Sequence, residues 1–172
     1  KDFKSCFQKQ LSPDALKVAK THLPQHMMKE HCQRDNKIIV GMRNPKDNLV
    51  SMYHFYRMNL FLGKFTGSFH DFFNLVRDKE VVYGDIFEHS AGWWNIRDRP
   101  NTMYVFYEDL NDDPVKEVKR MAEFLDKKEI SDEDVAKIVE WTTFGNMSEA
   151  KSTNYTAHEK ILDHKISPYM RK

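Results

Sequence analysis

Three places in this sequence carry side chains able to grip an anion or move a proton: Lys20-Thr21-His22, Arg43 followed by Ser51, and Tyr107. Arg43 comes at the end of an apolar run, and Ser51 falls about one turn into the helix expected after it. A helix N-terminus offers free N–H groups and a partial positive charge, so a guanidinium and a hydroxyl placed there can hold a phosphate. Each residue also has a plainer reading. An arginine after a strand is commonly a surface charge, and a serine in a buried helix commonly fills space. A histidine such as His22 is commonly a polar loop residue or a packed side chain, and Tyr107 could as well be core. Spacing by itself leaves these readings open.

The elements that must position these residues read as an alternating α/β pattern. Residues 37–42, Lys-Ile-Ile-Val-Gly-Met, form a short β-branched run apolar on both faces, as a buried parallel strand does. Asn44-Pro45 breaks that strand and prepares a helix over residues 47–58, apolar almost all round and therefore expected to be buried. Residues 16–20 are a second strand candidate, left at Thr21-His22-Leu23-Pro24, and residues 102–107 a third. Pro114 opens a helix in which Val115, Val118, Met121, Phe124 and Leu125 recur at helical spacing. Ser131 reads as an N-cap, with Asp132, Glu133 and Asp134 suiting the first turn of a helix whose core stripe is Val135, Ile138 and Val139. Strands alternating with helices imply layers around a mainly parallel sheet, and ligands in such sheets gather at the carboxyl ends of the strands. All three candidate places lie at such ends. Residues 1–15 are polar and weakly patterned, a surface loop or an edge of the fold, and one domain over 1–172 is the economical reading.

Composition narrows the function class. The 172 residues carry 27 basic and 26 acidic side chains, a formal net charge of +1, so a general nucleic-acid or membrane-surface binder is not expected. Any anion site must be local. Cys6 and Cys32 are the only cysteines, which argues against a disulfide framework or a zinc site and for a reduced compartment. His22 and His26 share helical spacing, but Pro24 between them makes a common helical face, and hence a metal pair, unexpected. No apolar run approaches the roughly 18 residues of a membrane span. The cytoplasm is the expected location.

Four stretches, in one order along the chain, resemble the cytosolic sulfotransferases. They are Lys20-Thr21-His22-Leu23-Pro24; Arg43-Asn44-Pro45-Lys46-Asp47 through Ser51 to Tyr53-His54-Phe55; Phe106-Tyr107-Glu108-Asp109; and Ser167-Pro168-Tyr169-Met170-Arg171-Lys172. Fainter echoes lie at Tyr83-Gly84, Trp93-Trp94, Thr142-Thr143-Phe144 and Thr153-Asn154-Tyr155. The resemblance implies a three-layer α/β fold like that of the P-loop nucleoside triphosphate hydrolases, with helices flanking a mainly parallel sheet. It implies sulfuryl transfer from 3′-phosphoadenosine 5′-phosphosulfate (PAPS) to a hydroxyl or amine of a small acceptor such as a phenol, steroid or alcohol. The product nucleotide would be 3′-phosphoadenosine 5′-phosphate (PAP), and no metal is implied. His22 matches the family's catalytic base, and Lys20 the lysine that neutralises charge on the oxygen between sulfur and phosphate. Arg43 and Ser51 match the pair on the 3′-phosphate, and Arg171 and Lys172 begin the closing loop that reaches it again. Tyr107 and Thr142 match adenine-side contacts, with Phe144 and Met147 lining the same region. Phe55, Phe61, Leu62 and Tyr83 would fall around the acceptor, although core packing suits each of them equally.

Two family elements have no counterpart between Lys1 and Lys172: the Ser/Gly/Thr loop that cradles the 5′-phosphosulfate, and the Gly-x-x-Gly-Asp-Trp-Lys run that follows Arg-Lys. The fold is therefore expected to be incomplete at both ends, with little turnover and marginal stability from this polypeptide by itself. A homodimer would belong to the full-length protein. A binding module that keeps Arg43 and Ser51 without catalysis is the second class. A nucleotide kinase is a third, disfavoured because neither a GK[ST] loop nor carboxylates arranged for magnesium are visible.

Overall fold

The computed structural model describes residues 18–82 and 84–171. Two strands, β1 (Ile38–Met42) and β2 (Thr102–Phe106), pair in parallel with Ile38 opposite Thr102 and Met42 opposite Phe106. Parallel pairing requires a long crossover, and residues 43–101 supply it with helical segments. The helices are α1 (Lys29–Cys32), α2 (Pro45–Met58), α3 (Phe69–Arg77), α4 (Ile86–Trp94), α5 (Tyr107–Asp112), α6 (Pro114–Phe124), α7 (Asp132–Trp141), α8 (Phe144–Glu149) and α9 (Lys151–Asn154).

Helix starts follow their capping residues. Asn44 accepts from the Lys46 amide at 2.9 Å with Pro45 in the first turn of α2, and Ser68 and Asp71 form a reciprocal capping box on α3. Asp113 caps α6 ahead of Pro114, and Ser131 caps α7 as expected. Each such cap is worth about 1 kcal/mol. The core gathers around β1 and β2: Val40, Tyr104, Trp93, Ile96 and Cys32 pack together, with Ile38, Met42 and Phe106 against them. On the far side of β2, Glu117 is buried and paired with Arg120, whose guanidinium also donates to the Tyr104 carbonyl at 2.6 Å.

Several expectations need correction. Residues 18–20, the described part of the strand expected over 16–20, are irregular, and residues 16 and 17 lie outside the described residues. Tyr107 starts α5 rather than ending β2, and is 44% exposed rather than core. The strand over 37–42 was expected to be covered on both faces. Only its Ile38–Val40–Met42 side faces the core; Ile39 and Gly41 are exposed. The helix expected to be buried all round buries only Tyr56 and Met58, and Val50 remains 45% exposed. The physical reason is common to both: an apolar face is buried only where another layer meets it, and among the described residues the sheet has two strands.

Candidate active site

The carboxyl ends of β1 and β2 lie side by side in the parallel register, and this sets the geometry of the site. Arg43 leaves β1 beside Tyr107, which leaves β2, and its guanidinium carbon sits 4.3 Å from the centre of the Tyr107 ring. A guanidinium over an aromatic ring is drawn to the ring's face while its N–H groups stay available. Glu108 completes the junction. One of its carboxylate oxygens accepts the Asn44 amide at 2.8 Å, clamping the start of α2 to the end of β2. That hydrogen bond, followed by one from its own amide and by the nearby Arg43 charge, holds the Glu108 carboxyl below the usual range.

The far C-terminal segment returns to the same place by way of the end of α2. Leu60 donates to Ile161 at 2.8 Å, Asp163 donates to Met58 at 2.7 Å, and Leu162 is buried against Asn59. Tyr155, in a left-handed conformation, packs its ring against Tyr169 at a tilt, with centroids 4.4 Å apart, and Ser167 is buried. So pinned, the chain brings Arg171 over α2, where its guanidinium reaches the Ser51 carbonyl at 3.5 Å. Burial first, and the Arg43 charge second, push the Arg171 guanidinium below its ordinary value. Two guanidinium groups held close enough to oppose one another, one just ahead of α2 and the other against its middle, make a site whose repulsion an anion relieves.

His22 lies on a different support. The Leu23 amide donates to the Thr21 hydroxyl at 3.0 Å, and the Leu23 carbonyl accepts from the Trp93 indole of α4 at 3.2 Å. Much of His22 is open to solvent, yet the packing around its ring lowers the imidazole below its ordinary value, with the Lys20 ammonium as the second cause. Both effects favour the neutral, proton-accepting form at physiological pH.

The structure thus brings Arg43, Ser51, Tyr107 and Arg171 into one corner and sets Lys20 beside His22. The other expected residues are placed less tightly. Thr142 ends α7, its hydroxyl donating to Ile138 and Val139 carbonyls of its own helix, and Phe144 and Met147 lie on α8. Phe55 is half-buried on α2. Phe61 and Leu62 sit in a turn whose amides both donate to the Asn59 side chain, at 2.9 and 3.2 Å. Phe61 is 78% exposed, so core packing is ruled out for it. Tyr83 and Lys172 lie outside the described residues.

Sequence reasoning assigned no role to Glu108, although it stands in the quoted motif. The signal available was its place directly after Tyr107, at a strand end next to another helix start. His54 was passed over too. Its Nδ1 is shielded from solvent and has no hydrogen-bond partner among the described residues, and burial, then Arg171 and Arg57, lower its imidazole.

The sulfotransferase domain model matches residues 4–172 of this chain. The chain belongs to the sulfotransferase family. Sulfotransferase 1C2 of Rattus norvegicus is 39% identical over 160 residues, covering 92% of this chain and 53% of the relative. Sulfotransferase 1E1 of Bos taurus is 39% identical over 158 residues, covering 91% and 53%. Retinol dehydratase, solved with androsterone and PAP, superposes with a TM-score of 0.81 at 27% identity, over 94% of this chain and 47% of that one. Mouse sulfotransferase SULT7A1, solved with PAP, gives 0.70 at 36% identity over 76% and 46%. The sulfotransferase chain described here therefore spans about half the length of the relatives it matches. Its α/β architecture of helices against a parallel sheet is that of the family.

Proposed function

We propose that this chain supplies the nucleotide grip and the proton-accepting base of an enzyme that moves a sulfuryl group from PAPS to a hydroxyl or amine of a small acceptor. The observation that carries the reading is the corner where Arg43, over the Tyr107 ring just ahead of α2, lies near Arg171, whose guanidinium reaches the Ser51 carbonyl midway along α2. A ribose 3′-phosphate, with its dense negative charge, fits two guanidinium groups and a hydroxyl better than an unphosphorylated ribose does. The PAP found with structural relatives has that group.

PAPS supplies an activated sulfur whose bond to the 5′-phosphate oxygen breaks as the acceptor oxygen or nitrogen bonds to it. His22, kept neutral, takes the acceptor's proton, a role typically worth about 10²–10⁴ in rate. Lys20 balances charge on the departing phosphate oxygen. Tyr107, Thr142, Phe144 and Met147 would flank the adenine, Lys172 would follow Arg171 onto the 3′-phosphate, and Phe55, Phe61, Leu62 and Tyr83 would border the acceptor. One domain over 1–172 and a cytoplasmic location complete the reading. No described helix is long and apolar enough to cross a membrane.

Calorimetric titration of a protein containing this chain with PAP and with adenosine 5′-phosphate tests the grip. PAP should bind much more tightly, and Arg43→Ala should erase most of the difference. Equal affinity for the two nucleotides would overturn the reading. Labelled transfer from PAPS to phenol, steroid, alcohol and amine acceptors tests the chemistry; tight PAP binding with no transfer to any acceptor would leave a non-catalytic nucleotide binder.

A further inference from the structure

A second histidine, on the helix that packs against the segment carrying the proposed base, has no part in the reading so far. His89 is on α4, one helical turn before Trp93, so the two side chains share a face. That face meets the segment carrying His22: the Trp93 indole donates to the Leu23 carbonyl at 3.2 Å, and a Cβ built at Gly92 would lie 3.8 Å from Gln25. Trp93 is itself buried in the core and its carbonyl accepts from the Tyr104 hydroxyl, so α4 is a rigid backing rather than a loose neighbour. The His89 amide donates to Asp85 at 2.9 Å in the helix, but the ring's Nδ1 is shielded from solvent and has no hydrogen-bond partner among the described residues. A buried polar nitrogen left this way is costly, and such groups commonly have a functional reason.

We propose that His89 is a positioning residue for His22, the two imidazoles forming a pair that carries at most one positive charge. The idea rests on the reading of His22 as the base. When His22 takes a proton from the acceptor, His89 stays neutral and backs the new imidazolium with a ring nitrogen rather than with a second charge. Burial first, and the His22 charge second, lower the His89 imidazole, which agrees with this arrangement. The other ionisable groups on the packed segment are Lys20 and His26. Those on α4 and its cap are Asp85 and Glu88, both already engaged by Lys79 at 3.2 and 2.5 Å.

Two measurements on a protein containing this chain test the pair. In the first, the ring resonances of both histidines are followed by NMR against pH, with and without His22→Gln. Removing the neighbouring charge should raise the pH at which His89 titrates; an unchanged titration would refute the coupling. In the second, His89→Phe, which keeps the ring's bulk, should lower kcat roughly ten- to a hundredfold. A misplacement of about 1 Å at a reacting group can cost 10²-fold. PAP affinity should stay within about twofold, the acid limb of kcat/KM should move, and His89→Gln should recover part of the loss. A His89→Phe protein with unchanged kcat and pH profile would show that the ring only fills space. Undiminished turnover in His22→Ala would sink the base assignment instead, and the NMR coupling stands apart from that result.

Discussion

The proposed nucleotide corner and the segment carrying the proposed base are built in different ways. Arg43 and Tyr107 descend directly from paired strands, Glu108 ties the two strand ends together, and Arg171 arrives on a segment fastened to α2 by Leu60, Asp163 and the Asn59–Leu162 bridge. His22 sits on residues 18–24, which belong to no regular element and meet α4 through the Trp93–Leu23 hydrogen bond. On the proposed reading, gripping is therefore a property of the sheet and its crossover, whereas base placement depends on a helix packed behind a loop. Binding and chemistry should be separable by mutation.

The largest expected effect is on the base side. His22→Ala should lower turnover by about 10²–10⁴, the usual worth of a general base, with PAP affinity held within about twofold. Single-turnover transfer from labelled PAPS, alongside calorimetry, measures both quantities. Next comes Arg43→Ala, which removes a charge-assisted contact worth about 1.5–3 kcal/mol and should weaken PAP binding roughly ten- to hundredfold. A protein in which both substitutions weakened PAP equally would erase the distinction between the two regions.

How far the sequence could be read follows the same division. Arg43, Ser51 and Tyr107 could be singled out by residue type near expected strand and helix ends and Arg171 only through the family resemblance, and it is that resemblance, not local spacing, that suggests a role for each. The caps at Ser131 and the Pro114 helix start were legible because local pattern at a helix end fixes geometry. Burial was not. Val50, Ile39 and Phe61 are apolar but exposed, because what covers a face is decided by layers distant in sequence. Glu108 was missed because it acts across the fold, and His89 because its proposed neighbour lies on another element. Glu108 reaches a backbone amide 64 positions away, and His89 comes near the segment of His22, its proposed partner, only once α4 has docked. Neither adjacency leaves a local pattern.

A smaller effect tests the docking directly. Trp93→Phe keeps most of the core contact and deletes the donor to Leu23, a hydrogen bond worth about 1 kcal/mol net. It should reduce kcat several-fold by loosening residues 20–24 while leaving PAP affinity unchanged. Glu108→Ala is its counterpart in the other region: it frees the Asn44 amide and should weaken PAP a few-fold with kcat at saturation nearly intact. Equilibrium binding and saturation kinetics on the two variants should give opposite patterns.

The smallest expected effect lies in the pH dependence of stability, and it separates the regions once more. His22, His54 and His89 all have imidazoles lowered from the ordinary value of 6.5, with burial as the first cause in each. The unfolded chain then binds more protons than the folded one as pH falls below that value, so stability should drop on acidification through this window and level off above it. Depressed carboxyls such as Asp71 and Asp163 act lower, losing their contribution as pH falls below about 3.8. Thermal melts between pH 8 and 5 would show the histidine slope. Of the three, only His54 feels Arg171 in the nucleotide corner, so an anion held there offsets the charge that disfavours its protonation. Saturating PAP should therefore flatten the His54 share of the slope, and His54→Gln should remove the part that PAP flattens. The remaining slope, from His22 and His89, should persist with PAP bound. If nucleotide abolished all of it, the two regions would be electrostatically one.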